Sequence, residues 1–150
     1  MIEKAKILHP EKNIEYICDN ILDMEFENNS LDVIITTATA HHLPYEWLLC
    51  FSKEKLKKSG KLIILDLAKE KSFMDYFIWG CAVIPNIIMN LIYNGRLYKD
   101  DVHAKEVWEK HGQHDTYMTI DEVRALAEKN LQGAKVKRKL FWRYLLIWQK

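Results

Sequence analysis

Leu31-Asp-Val-Ile-Ile-Thr-Thr-Ala-Thr-Ala-His-His-Leu43 and, further on, Lys61-Leu-Ile-Ile-Leu-Asp-Leu67 decide the fold class of this chain. Each contains a short, continuously apolar run rich in β-branched residues, the pattern of strands buried on both faces of a parallel sheet. Between them, Pro44 to Ser59 reads as a helix with Leu48, Phe51 and Leu56 on its apolar face. Lys57 and Lys58 complement its negative end, and Gly60 follows as a left-handed cap. Strand, helix and parallel strand make an α/β unit, which places ligands in the crevice beyond the strands' carboxyl ends. Three segments lie there by this rule: Asp19 to Met24, Thr36 to His42, and Asp66 to Lys69.

Working outward, Glu3 to Leu8 reads as the end of a helix stopped at His9-Pro10, because a residue before proline disfavours helical angles. Ile14 to Cys18 alternates as a short strand, and Glu27-Asn-Asn-Ser30 is a polar turn. Phe73 to Tyr93 is strongly apolar and long enough as a helix to span a bilayer at about 1.5 Å per residue. Asp75, Asn86 and Asn90 make insertion costly, and Pro85 interrupts the helix. The segment therefore reads as two helical pieces packed over the protein, with no stable membrane insertion. Asp100 to His111 is a polar helix. Thr119-Ile-Asp-Glu122 is a capping box, so a helix starts there and runs to about Lys129. Lys135 to Leu140 and Tyr144 to Trp148 form an antiparallel hairpin at a sheet edge. With no repeat or linker, residues 1–150 form a single domain.

Composition narrows the function classes. The 22 Lys and Arg nearly cancel the 21 Asp and Glu, which argues against bulk attraction to nucleic acid. Cys18, Cys50 and Cys81 are widely spaced and odd in number, as expected of reduced thiols in a cytoplasmic protein. No Gly-x-Gly-x-x-Gly turn occurs, which disfavours a nicotinamide-dependent oxidoreductase. His111-Gly-Gln-His-Asp115 offers metal-ligand types, but Gly112 and the distance to His103 favour a substrate-side polar loop, and no metal is expected. Trp79, Trp108, Trp142 and Trp148, with Phe73 and Tyr76, either line an apolar pocket or form ordinary core, core being the commoner outcome. Lys135 to Arg138 with Arg143 is a solvated basic strand face.

The order and spacing of three motifs resemble class I S-adenosylmethionine (SAM)-dependent methyltransferases of the type 11 kind. Leu31 to Leu43 resembles the family's fourth motif, an aspartate-led strand followed by a small-residue turn and His-His-Leu. Leu56-Lys-Lys-Ser-Gly-Lys-Leu-Ile-Ile-Leu-Asp66 resembles the next motif, usually Leu-Lys-Pro-Gly-Gly and an apolar strand. Cys18 to Phe26 resembles the adenine-side motif. The resemblance implies a Rossmann-like sheet with a C-terminal antiparallel hairpin, SAM as cofactor and a small-molecule methyl acceptor. It sets Asn20, or Asp19 one register earlier, against the adenine amino group, with Ile21 on the ring. Thr37 and Ala38 fall beside the methionine part, and His41 and His42 on the substrate side, where a histidine can serve as general base near neutral pH. Phe73 to Tyr93 becomes an apolar cap that selects the acceptor.

The chain departs from the family at its start. The glycine-rich cofactor loop and the acid that holds the ribose should precede Met1, so the sheet is expected to be N-terminally truncated. Either Ile14 to Cys18 then pairs directly with Val33 to Thr37, or a second chain fills the gap through the exposed strand edges, making a homodimer. The alternative to an enzyme is a non-catalytic remnant or dimerisation module without cofactor binding.

Overall fold

The computed structural model describes residues 2–69, 73–95 and 117–150. The elements follow in the order α1 (Ile2–Leu8), β1 (Leu31–Thr37), a 3-10 turn (Ala40–His42), α2 (Tyr45–Lys55), β2 (Leu56–Leu67), α3 (Phe73–Asn94), α4 (Ile120–Asn130), β3 (Lys135–Lys139) and β4 (Arg143–Gln149). The strands form one mixed sheet in the order β1-β2-β4-β3. β1 and β2 are parallel neighbours, Ile34 opposite Leu62 and Thr36 opposite Ile64. β4 runs antiparallel to β2 and β3, with Leu62 opposite Trp148 and Ile64 opposite Leu146. The expected α/β class, the parallel pair and the terminal hairpin are all present.

One face of this sheet is covered. Leu62 and Ile64 of β2, with Tyr144, Leu146 and Trp148 of β4, pack in a single core with Leu48 and Leu49 of α2 and Val123 and Ala127 of α4. The period of two puts the next residues on the opposite face. There Val33 and Ile35 are 48% and 65% exposed, Ile147 is 40% exposed, and Ile63, Leu65 and Leu145 are only partly buried. α4 starts at the expected capping box: Thr119 Oγ1 accepts from the Glu122 amide at 3.3 Å, and Glu122 Oε2 accepts from the Thr119 amide at 2.8 Å.

Five expectations need correction. Ile14–Cys18 forms no strand and pairs with nothing among the described residues, so its alternation lacked the neighbour that makes a strand. α2 ends at Lys55 and not Ser59, because residues 56–60 open β2. Gly60 is therefore a strand residue with a steric reason: a Cβ there would stand 2.9 Å from the Lys57 carbonyl oxygen and 3.1 Å from that of Asp32. The left-handed residue is Ser59 (φ +70°), whose backbone amide donates a hydrogen bond to the Lys150 carbonyl at 2.8 Å. Lys57 binds Asp32 at 2.8 Å and has no part in capping α2. Finally, α3 is one helix with Pro85 inside it, and its described side chains from Val83 to Met89 are exposed. Among the described residues no helix is long and apolar enough to cross a membrane. The polar helix from Asp100, His103 and the His111–Asp115 cluster lie outside the described residues.

The hairpin joining β3 to β4 turns through Phe141 (φ +60°) and Trp142 (φ +57°), both left-handed. This backbone disfavours residues with a Cβ. The turn is held in place because the Trp142 carbonyl accepts from the Ala68 amide at 2.7 Å, just past the end of β2.

Candidate functional site

Parallel pairing brings the carboxyl ends of β1 and β2 together. β1 does not stop cleanly: the Ala38 amide still donates to the Leu65 carbonyl at 2.8 Å, with Ala38 at φ +49°. That left-handed residue swings the chain into the 3-10 turn, whose first residue, Ala40, is wholly buried. A larger side chain would not fit there, and the turn delivers His41 to the end of β2.

His41 Nδ1 lies 2.6 Å from Asp66 Oδ1, with the side chains 7% and 1% exposed. The same carboxylate accepts from the His41 backbone amide through Oδ2 at 2.7 Å and from the Leu67 amide through Oδ1 at 2.7 Å. A buried charge is tolerated only when hydrogen-bonded in this manner. An ionised carboxylate can only accept, so Nδ1 carries the proton of this bond, and Nε2 is the ring nitrogen turned away from Asp66. The His42 ring lies 4.0 Å and the Tyr117 ring 5.0 Å from that of His41, centroid to centroid.

The turn opens onto a cavity of about 350 Å³ whose lining includes His41, His42, Tyr45, Leu67, Met118 and Tyr144. Tyr144 donates its hydroxyl to that of Tyr45 at 3.2 Å. Desolvation on burial pushes the Tyr45 hydroxyl up to about 12, and the Asp66 charge adds to the rise. Burial, then the neighbouring Tyr45, raise Tyr144 further. Both phenols stay protonated at neutral pH and act as donors. Thr36 Oγ1, on β1 two residues before Ala38, is buried without a hydrogen-bond partner among the described residues.

Residues 1–64 match the methyltransferase domain family. A crystal structure of a SAM dependent methyltransferase from Aquifex aeolicus superposes with a TM-score of 0.53 at 18% identity, covering 98% of this chain and 59% of that one. The chain therefore shares the fold of that methyltransferase structure, and its first 64 residues carry the family match. It spans about three-fifths of the length of that structure. No curated protein matches the chain.

In this methyltransferase fold the site residues expected from sequence fall into two groups. His41 and His42 line the cavity; Thr37 and Ala38, at the end of β1, are exposed and do not line it. Asp19, Asn20 and Ile21 form a separate turn and do not line that cavity. Asn20 is committed at both ends of its carboxamide: Oδ1 accepts from the Leu22 amide at 3.2 Å, and Nδ2 donates to Asp23 Oδ2 at 2.8 Å. Asp19 spends Oδ1 on the Asn20 amide at 2.8 Å. A second hollow, about 490 Å³, lies beside that turn between Leu22, Met24, Phe26, Trp47, Phe51 and Glu54.

Sequence places Asp66 only at the head of a strand-exit segment, with no role, and assigns Tyr45 and Tyr144 to no site. Asp66 carried a readable signal, an acid inside an apolar run at the carboxyl end of a parallel strand. Its partner lies 25 residues earlier and is reached only through the sheet. The aromatic set does not gather in one pocket. Trp148 is buried with Nε1 donating to the Gln132 carbonyl at 3.1 Å, while Trp142 lies at the hairpin tip. The side chains of Phe73, Tyr76 and Trp79, and Trp108 altogether, lie outside the described residues.

Proposed function

We propose that this chain is a SAM-dependent methyltransferase domain acting on a small-molecule acceptor, with the cavity under His41 as the acceptor's seat. The observation that carries the reading is the His41–Asp66 pair, buried at the carboxyl ends of two parallel strands in a methyltransferase fold. The residues present suit the cofactor in kind. Thr37 and Ala38 give a small, exposed strand exit, and the second lone pair of Asn20 Oδ1 or the second carboxylate oxygen of Asp19 can accept from an amino group. Ile21 supplies the adjoining apolar surface. When bound, SAM supplies an electrophilic methyl group on a sulfonium sulfur.

The chain's own residues then have distinct tasks. His41 takes the proton of the acceptor at Nε2, and Asp66 acts as its positioning residue, fixing the tautomer and stabilising the imidazolium. Leu67, Met118 and the phenol rings exclude water and orient the acceptor, and alignment alone contributes several kcal/mol to such transfers. α3 follows β2 in the chain, and in this reading residues 73–93 serve as the acceptor-selecting cap.

Isothermal titration with SAM tests the reading: saturable heat is expected, and no heat up to millimolar cofactor rejects it. A second measurement isolates the pair. In the Asp66→Asn protein the 15N shifts of the His41 ring should report the proton moved from Nδ1 to Nε2, with cofactor heat retained. An unchanged tautomer would remove Asp66 from its positioning role.

A second reading is favoured by one observation, the bare sheet face around Val33 and Ile35 and the outer edge of β1, unpaired among the described residues. Such surfaces recruit another chain, and the domain would then serve as an assembly module. Sedimentation separates the two: a monomer that takes up SAM supports the enzyme, and a stable dimer without cofactor heat supports the module.

A further inference from the structure

The cavity at the strand exits holds a proton that the protein leaves unused. Tyr45 and Tyr144 are 8% and 2% exposed, and their hydroxyls are 3.2 Å apart. Each hydroxyl brings one proton and can accept as well. Two hydroxyls bonded to each other consume one proton and leave one over. With Tyr144 donating, the remaining proton is that of Tyr45, and no acceptor for it occurs among the described residues. The buried carboxylate of Asp66 is already engaged by His41 Nδ1, the His41 amide and the Leu67 amide. A buried donor without an acceptor is unfavourable, and this one borders a cavity.

We propose that Tyr45 donates its hydrogen bond to a neutral oxygen of the methyl acceptor, a carbonyl or phenolic oxygen on a small and otherwise apolar molecule. The inference rests on the proposed function in taking the cavity as the acceptor's seat. Two further features set the ligand class. Leu43, Pro44, Leu67 and Met118 give the cavity apolar walls, and its volume of about 350 Å³ lies at the small end of ligand pockets. The negative charge of Asp66 beside the phenols disfavours an anionic ligand. Burial keeps both phenols protonated, so the pair offers a donor and never a base.

The test uses three probes of one shape: acetophenone, ethylbenzene and benzoate. Their dissociation constants are measured by NMR titration of the whole chain without cofactor. Acetophenone should bind about fivefold more tightly than ethylbenzene, the worth of one hydrogen bond, and more tightly than benzoate. Tyr45→Phe should lose more of that preference than Tyr144→Phe, and the double variant should bring the two neutral probes to parity. Circular dichroism melts establish that each variant is folded, and the single variants suffice if the double one is not. Parity of the neutral probes in the unmodified chain, benzoate as the tightest probe, or an equal or larger loss in Tyr144→Phe overturns the proposal. Because the probes are read without SAM, failure of the cofactor titration defeats the proposed activity and leaves this preference to stand or fall separately.

Discussion

The two faces of the sheet are built from the same kinds of residue and meet opposite fates. On one, Leu62, Ile64 and Leu146 are wholly buried beneath α2 and α4. On the other, Ile35, Val33 and Ile147 are no less apolar but stand exposed. β-Branched runs such as Val33-Ile-Ile35 and Leu62-Ile-Ile-Leu65 read alike in sequence, because composition signals a capacity for burial and not the presence of a cover. Stability should therefore reside in one face, the other being open at Val33, Ile35 and Ile147.

The sharpest break is a matched pair of truncations. Ile64→Ala should cost about 2–5 kcal/mol, as deletions in a closed core do, whereas Ile35→Ala should shift the urea midpoint by less than about 0.5 kcal/mol equivalent. Equal losses would mean that the second face is covered in solution.

The covered face also carries an alkaline signature. The Tyr45 hydroxyl is raised in the folded state, to about 12 from its ordinary 10. The folded chain then holds more protons than the unfolded one between those values, so this contribution is intact below about pH 10 and is lost as pH rises towards 12. The share lost by Tyr45 should reach about 2 kcal/mol by denaturant titration; Tyr45→Phe should remove that share and leave the share of Tyr144, whose hydroxyl is raised further. A next-smaller effect belongs to Thr119→Ala, which removes the cap of a covering helix and should lower the urea midpoint by about 1 kcal/mol equivalent. Smallest in stability, yet plain by dye binding, is the pair Ile35→Glu and Ile147→Glu. Together they should lower anilinonaphthalene sulfonate fluorescence measurably, the exposed apolar side chains of α3 keeping the rest, while barely moving the melting temperature. Unchanged fluorescence would locate the exposed apolar surface elsewhere.

What could be read from sequence follows the range of the interactions. Thr119 and Glu122 are three residues apart, and their capping box, being local, was legible. So were β1, the Lys61–Leu67 part of β2 and the terminal hairpin, where apolar runs coincide with turns. The opening of β2 was not: Lys57, Lys58 and Ser59 look like a helix tail. They become strand because Leu56 sits opposite Leu31 and Ser59 and Gly60 bond Lys150 at the far end of the chain. Ile14 to Cys18 failed in the opposite sense, with local alternation intact and no neighbour to pair with. In the candidate site, His41 and His42 could be named from the motif, but Asp66 and Tyr144 join them only through sheet register, and Tyr45 is drawn in by its bond to Tyr144. Those distances across the fold are invisible to spacing.

The hairpin tip at Phe141 and Trp142 has a consequence for engineering. Two bulky residues held in the left-handed region cost of order 1–2 kcal/mol each, and an Asn-Gly pair would adopt the same backbone without that cost. Replacing them should give a hardier protein. It would also strip two aromatic rings from the margin of the strand exits, so a variant that gains heat tolerance and changes its small-molecule preference would show what those rings are kept for.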